Sequence, residues 1–232
     1  DKGSPLLAYS AELRDKLQLL LGNEFIVELG MCVGNPNIRD VFARHKKITK
    51  WFILPLFPQY AAATTSSALS LVYRELAKGW DVPPVSVLPP FYKRSEFIDL
   101  VAKRIITSLS PGSHLLFSYH SLPERHLEKS QCVGLKEKRC IGNACLPVET
   151  VNDDYCYRRQ CIKTTEQIVK KLGISEEKYS VSFQSRLGKT PWIGPSTEEA
   201  IKSLSERGIK SLTVVCPSFV TDCLESLEEI GF

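Results

Sequence analysis

The sequence predicts an α/β protein of two doubly wound, mostly parallel (Rossmann-like) sheet domains, with the functional site in the cleft between them. Short apolar runs alternate with helical patterns along the whole chain, which is the order that puts helices on both faces of a parallel sheet. Three of those runs pass straight into polar and aromatic residues, at 115–126, 180–197 and 212–230. Ligands of open α/β sheets bind beyond the carboxyl ends of the strands, so His120, Trp192, Asp222 and Glu225 are expected to face one cleft.

Taken in order, FIVELGM at 25–31 reads as a strand and 38–47 as a short helix. WFILPLF at 51–57 has the continuous apolar character of a strand buried in a parallel sheet. A helical pattern follows over 64–78, then the short strand VSVLPP at 85–90 and a helix to about 108 with Ser95 as its N-cap. After the turn Ser110-Pro111-Gly112 come the strand SHLLFSYH, a helix over 157–172 and the strand YSVSFQS. A helix capped by Ser196, with Glu199 three residues on, and the strand LTVVCP complete the set. The expected division is a first domain at 1–100 and a second at 101–232 carrying His120 and Glu225. Residues 128–161 break the regularity, with no clear period and five cysteines: Cys132, Cys140, Cys145, Cys156 and Cys161.

Composition limits the function. With 43% hydrophobic residues over 232 positions the chain buries a substantial core. A net charge of +4 with scattered Lys and Arg argues against nucleic acid. The start does not resemble a signal peptide, and WFILPLF is far short of the ~20 apolar residues of a spanning helix. A soluble, cytoplasmic protein is therefore expected, with room for a peripheral membrane contact at an apolar mouth. Eight cysteines without a secretory signal suggest reduced thiols or metal ligands before disulfides. The absence of a G-x-x-x-x-G-K-[ST] run argues against ATP.

SYHSLPERH, QSRLGKTPWIGP and CPSFVTDCLESLEEI resemble the signature segments of ferrochelatases, the enzymes that insert ferrous iron into a porphyrin to make haem. LPLFPQYAAATTSSA at 54–68 is similar to that family's first-domain porphyrin loop, and DKGSPLLAYS at 1–10 to a Gly-Ser-Pro-Leu segment. The resemblance implies ATP-independent insertion of Fe²⁺ into a dicarboxylic porphyrin, either protoporphyrin IX or coproporphyrin III. It also implies a fragment, without the usual N-terminal strand and C-terminal tail. The alternatives are a related cobalt or nickel chelatase and a non-catalytic tetrapyrrole or metal carrier.

Metallation removes two pyrrole N–H protons while Fe²⁺ enters the ring, which calls for a base. A neutral imidazole, with an ordinary pKa of ~6.5, suits that task. By resemblance His120 is the proton acceptor or a metal ligand; otherwise it is a histidine hydrogen-bonded in a strand-end turn. If a helix begins near Thr221, then Glu225, Glu228 and Glu229 form an acidic stripe that moves protons outward or guides Fe²⁺ inward. By resemblance Glu225 is the glutamate opposite the histidine, yet Asp222 and Glu225 also fit a capping box. Cys223 stands where many relatives carry a second histidine. Phe57, Tyr60, Trp192 and Phe219 are the candidate walls for the apolar disc, with Phe57 where many relatives have tyrosine. Arg186, Thr64, Thr65 and Ser66 are available to the propionates, although Arg186 equally suits a structural carboxylate. Some microbial ferrochelatases resemble this chain in extra cysteines that hold a [2Fe–2S] cluster, which takes four thiolates. Zinc also takes four thiolates, but the usual pair of C-x2-C knuckles is absent, and buried apolar thiols are the third option.

Overall fold

The structure, a computed structural model, describes residues 4–130, 140–141, 144–145 and 155–231. Helix α1 (Pro5–Leu21) is followed by α2 (Ile38–Arg44), strand β1 (Trp51–Ile53), α3 (Ser67–Leu76) and β2 (Val85–Val87). Next come α4 (Ser95–Ser108), β3 (His114–His120), α5 (Glu124–Lys129) and the short strands β4 (Cys140–Ile141) and β5 (Ala144–Cys145). The chain then forms α6 (Tyr157–Leu172), β6 (Tyr179–Gln184), α7 (Thr197–Glu206) and β7 (Leu212–Val215). Two π-helical turns, Ala62–Ser66 and Glu225–Glu229, precede α3 and follow β7.

Both larger pairings are parallel, as the alternation predicted: β1 beside β2, and β6-β3-β7 with β3 in the middle. Strand side chains point alternately to the two faces, so β3 serves two layers. Leu115, Phe117 and Tyr119 enter a core with Ile98 and Ile105 of α4 and Cys161, Ile168 and Val169 of α6. Leu116, between them, packs on Ala200 and Leu204 of α7. A strand covered on both faces has to read as an unbroken apolar run, and LLF does. A separate cluster joins Ile38, Val72 and Leu76 with Trp51, Ile53 and Val85 around the β1–β2 pair. Among the described residues no helix is long and apolar enough to cross a membrane.

Four local expectations change. FIVELGM is extended but forms no strand ladder; it makes one isolated bridge, Met31 to Asn37, and Phe25 packs edge-on against Phe52 at 5.9 Å. It approaches α2 so closely that a Cβ on Gly30 would lie 2.9 Å from Ile38 Cγ1. β1 stops at Ile53, because Pro55 has no N–H to give a ladder. Arg94, not Ser95, is the N-cap of α4, and the Ser95 hydroxyl bonds Glu96 instead. No helix starts at Thr221; the chain turns helical only at Leu224. The capping box of Ser196 and Glu199 forms as read from sequence.

Buried amides tie the loop after β1 to the second sheet's helix. Gln160 Oε1 accepts the Tyr60 N–H at 2.7 Å, and Gln59 Nε2 donates to Thr164 Oγ1 at 3.1 Å. Gln160→Leu keeps the volume and strips the buried Tyr60 N–H of this acceptor, so it should cost ~1–3 kcal/mol. Denaturant unfolding measures this, and an unchanged midpoint would show that the Gln160 amide holds nothing.

Candidate active site

His120 is the last residue of β3, opposite Gln184 in the ladder with β6. Its Nδ1 lies 2.5 Å from the Ser121 carbonyl oxygen. A carbonyl only accepts, so Nδ1 carries a hydrogen, and in the neutral ring the lone pair is on Nε2. The half-buried ring meets Phe219 edge-on, with centroids 6.4 Å apart. Behind it the Tyr157 hydroxyl donates to the His120 carbonyl at 2.9 Å and takes a hydrogen from Ser218 Oγ at 3.1 Å. Burial holds the Tyr157 phenol well above its ordinary value of 10.0, so it stays a donor.

The turn after His120 seats the Trp192 loop. The Ser121 hydroxyl donates to the Ile193 carbonyl at 2.8 Å, Ile193 N–H to Leu122 at 3.0 Å, and Glu124 N–H to Pro191 at 3.0 Å. Trp192, half-buried, donates its indole N–H to the Leu187 carbonyl at 3.0 Å, which leaves its ring as an apolar wall close to the histidine turn. Arg186 takes up the structural alternative. Its guanidinium lies 3.6 Å from Glu199 and donates to the Ile193 carbonyl at 3.4 Å, over Gly194, where a Cβ would sit 2.5 Å from it.

The acidic segment departs from the expected helix. It starts only at Leu224 and runs as the π-helical turn Glu225–Glu229. Glu225 does not close a capping box on Asp222; the Ser226 hydroxyl does the equivalent work, accepting the Cys223 N–H at 3.0 Å and lying 3.2 Å from Asp222 Oδ1. Glu225 is half-buried and Glu228 exposed, while Glu229 is bound to Ser185. The even acidic stripe is therefore not formed. Burial pushes the Cys216 thiol up to about 12, helped by Cys223, Asp222 and Glu229, and burial also raises Cys223. Both thiols stay neutral near neutral pH.

A cavity of about 590 Å³ is lined by Tyr60, Tyr73, Tyr155, Ser66, Ser70 and Arg74, and Phe57, Trp192 and Phe219 are not among its walls. Tyr60 and Tyr155 meet there edge-on at 5.3 Å. Phe57 is half-buried, Thr64 bonds the Ala61 carbonyl at 3.4 Å, and the buried Thr65 hydroxyl has no hydrogen-bond partner among the described residues. Of the cysteines, Cys132 lies outside the described residues, Cys140 and Cys145 are paired backbone positions in β4–β5, and Cys156 and Cys161 are buried at the start of α6. Among the described residues no three His, Cys, Asp or Glu side chains converge on a metal position.

Gln184 is the residue that sequence reasoning passed over. Its buried amide accepts the Ser118 hydroxyl at 2.5 Å, lies 3.8 Å from the Cys216 thiol and donates to the Glu225 carbonyl at 3.1 Å. Ser118 and Ser182 inside apolar strands were the available signal, since buried hydroxyls require partners.

The family model named Ferrochelatase matches residues 1–232. A ferrochelatase of Legionella pneumophila (strain Philadelphia 1) is 45% identical over 231 residues, covering 100% of this chain and 68% of that protein. A ferrochelatase of Coxiella burnetii (strain RSA 493) is 42% identical over 235 residues, covering 99% of this chain and 64% of that protein. The chain thus spans about two thirds of the length of these curated relatives.

The Cys216 thiol gives a pH prediction. In the unfolded chain it releases its proton near its ordinary value of 9.0, whereas the native chain holds it to about 12, so it withdraws stability as pH rises through that window. Cys216→Ala should lack this loss, and the stability advantage of the parent over the variant should shrink from pH 9 to pH 12 in paired unfolding curves. A pH-independent difference would show that the thiol is not held protonated.

Proposed function

This chain belongs to the ferrochelatase family, and we propose that it inserts Fe²⁺ into a dicarboxylic porphyrin, protoporphyrin IX or coproporphyrin III, with His120 Nε2 as the acceptor of pyrrole protons. The observation that carries this reading is the contact of Nδ1 with the Ser121 carbonyl at 2.5 Å, which in the neutral ring commits the hydrogen to Nδ1 and leaves the lone pair on Nε2. Two pyrrole N–H bonds break, the iron becomes bound to all four ring nitrogens, and two protons leave. A base at this position takes a proton directly, and Glu225, half-buried in the following turn, receives it or meets the incoming iron. Trp192 and Phe219 supply apolar contact to the disc. Arg186, engaged with Glu199, is a weaker candidate for a propionate than the hydroxyls of residues 64–66.

The two sheets and their separate clusters support two α/β units with the site at their junction. In this division α4 goes with the second unit, because Ile98 and Ile105 pack in its core. We place the reaction in the cytoplasm, with at most peripheral membrane contact. The fourfold thiolate demand of a [2Fe–2S] cluster is met on paper by Cys132, Cys140 and Cys145 with Cys156 or Cys161. The backbone supports the set: Cys140 and Cys145 are opposite in an antiparallel pair, and β5 lies against α6, whose first turn carries Cys161. When bound, such a cluster would supply a structural staple and no step of the metallation.

His120→Ala should bind porphyrin while losing ~10²-fold or more in turnover under anaerobic conditions. Retention of more than about a tenth of the rate would overturn the assignment, and a parent protein that binds porphyrin without metallating it would be a carrier. For the cluster, anaerobically prepared complete protein should be brown, with about two irons and two acid-labile sulfides per chain. One zinc in a colourless protein, or no metal, would contradict it.

A further inference from the structure

The turn Glu225–Glu229 has no buried residue of its own and is only five residues long, so its shape depends on outside partners. Both ends are held by one dipeptide at the end of β6. Gln184 Nε2 donates to the carbonyl of Glu225, at the start of the turn, at 3.1 Å. Ser185 donates its backbone N–H to Glu229 Oε1 at 2.6 Å and its hydroxyl to Oε2 at 2.5 Å, at the turn's end. Ser185 has φ 66°, the left-handed region that L-residues other than glycine enter at a cost. Here that conformation aims both of its donors at one carboxylate.

Gln184 is fixed in turn from the other side. Its Oε1 takes the Ser118 hydroxyl, Ser118 meets Thr197 Oγ1 at 2.7 Å, and Thr197 meets Ser182 Oγ at 3.0 Å, all four side chains being buried. This chain of hydrogen bonds ties the amide to the first residue of α7 and leaves Nε2 pointing at the turn. Gln184 is also the ladder partner of His120, and its carbonyl accepts the Ser121 N–H at 2.7 Å. One residue therefore touches both the backbone that presents the histidine and the backbone that presents the glutamate.

We propose that Gln184 and Ser185 are positioning residues that clamp the two ends of the acidic turn and hold Glu225 in fixed register with His120. The proposal rests on the reading that His120 and Glu225 act on the porphyrin and iron. It assigns Glu229 to the clamp, as a tether whose charge is spent on Ser185, and leaves Glu225 and Glu228 as the carboxylates available to protons or iron.

The test uses the complete protein with Gln184→Leu, Ser185→Ala, Glu229→Gln and the Ser185→Ala/Glu229→Gln double variant, beside Glu225→Gln. Each clamp variant should speed hydrogen–deuterium exchange in the peptide covering residues 221–230. Each should also lower kcat ~10-fold or more with little change in KM for porphyrin, as expected when a reacting group is displaced rather than lost. Ser185 reaches the turn only through Glu229, and Ser185→Ala removes one of their two hydrogen bonds, so the double variant should lose less than the sum of the two single losses. Unchanged exchange would overturn the clamp, and so would additive losses in the double variant. Faster exchange with full kcat, while Glu225→Gln is inactive, would overturn the positioning role. An active Glu225→Gln would instead overturn the catalytic reading of the glutamate, and the positioning role with it, the exchange data still deciding whether the clamp exists. Should Gln184→Leu fail to fold, the half-exposed Ser185 carries the same comparison.

Discussion

A strand covered on both faces can expose chemistry only at its end, and β3 is such a strand. Six consecutive residues, from His114 to Tyr119, are buried, and the seventh is His120. Every polar group at this end has to find a partner within the protein, because an unpaired one would cost about as much as several good contacts gain. Gln184, Ser121 and Tyr157 provide those partners, and in doing so they determine which nitrogen of His120 is free. The proposed base is thus a consequence of how the strand's last polar groups are satisfied.

The same constraint orders the surroundings. Ser121 binds the His120 ring and the Ile193 carbonyl, which brings Trp192 to the histidine turn. Gln184 binds Ser118 beneath and Glu225 beyond, which brings the acidic turn to the neighbouring strand end. Thr164 and Gln160 on α6 receive the loop after β1, so the first sheet is attached through buried amides and not through apolar contact alone. The site is a meeting of loops, each anchored to a strand or helix whose own position is fixed by burial.

The sequence made the parallel alternation, α6, the box at Ser196 and the three strand ends legible, because each is written in a local period or a fixed spacing. FIVELGM misled, since apolar composition favours an extended chain but a ladder needs a neighbour, and none is present among the described residues. The acidic segment misled for another reason: Glu225, Glu228 and Glu229 have helical spacing, yet Ser226 takes the capping role and Ser185 withdraws Glu229. Arg186 could not be resolved from sequence, because its partner Glu199 lies in a helix whose approach depends on the fold. Gln184 was inside a recognised segment and still unassigned, since a buried amide declares its role only through its partners.

Everything proposed for the site turns on His120 resting with its hydrogen on Nδ1 and its lone pair on Nε2. Nitrogen-15 NMR of histidine-labelled complete protein, with His120 assigned by its loss in His120→Gln, reads this directly. The expected result is the Nδ1–H tautomer in the neutral resting protein and protonation of Nε2 while a porphyrin is being metallated. A resting Nε2–H tautomer would leave no base facing the substrate and would contradict it.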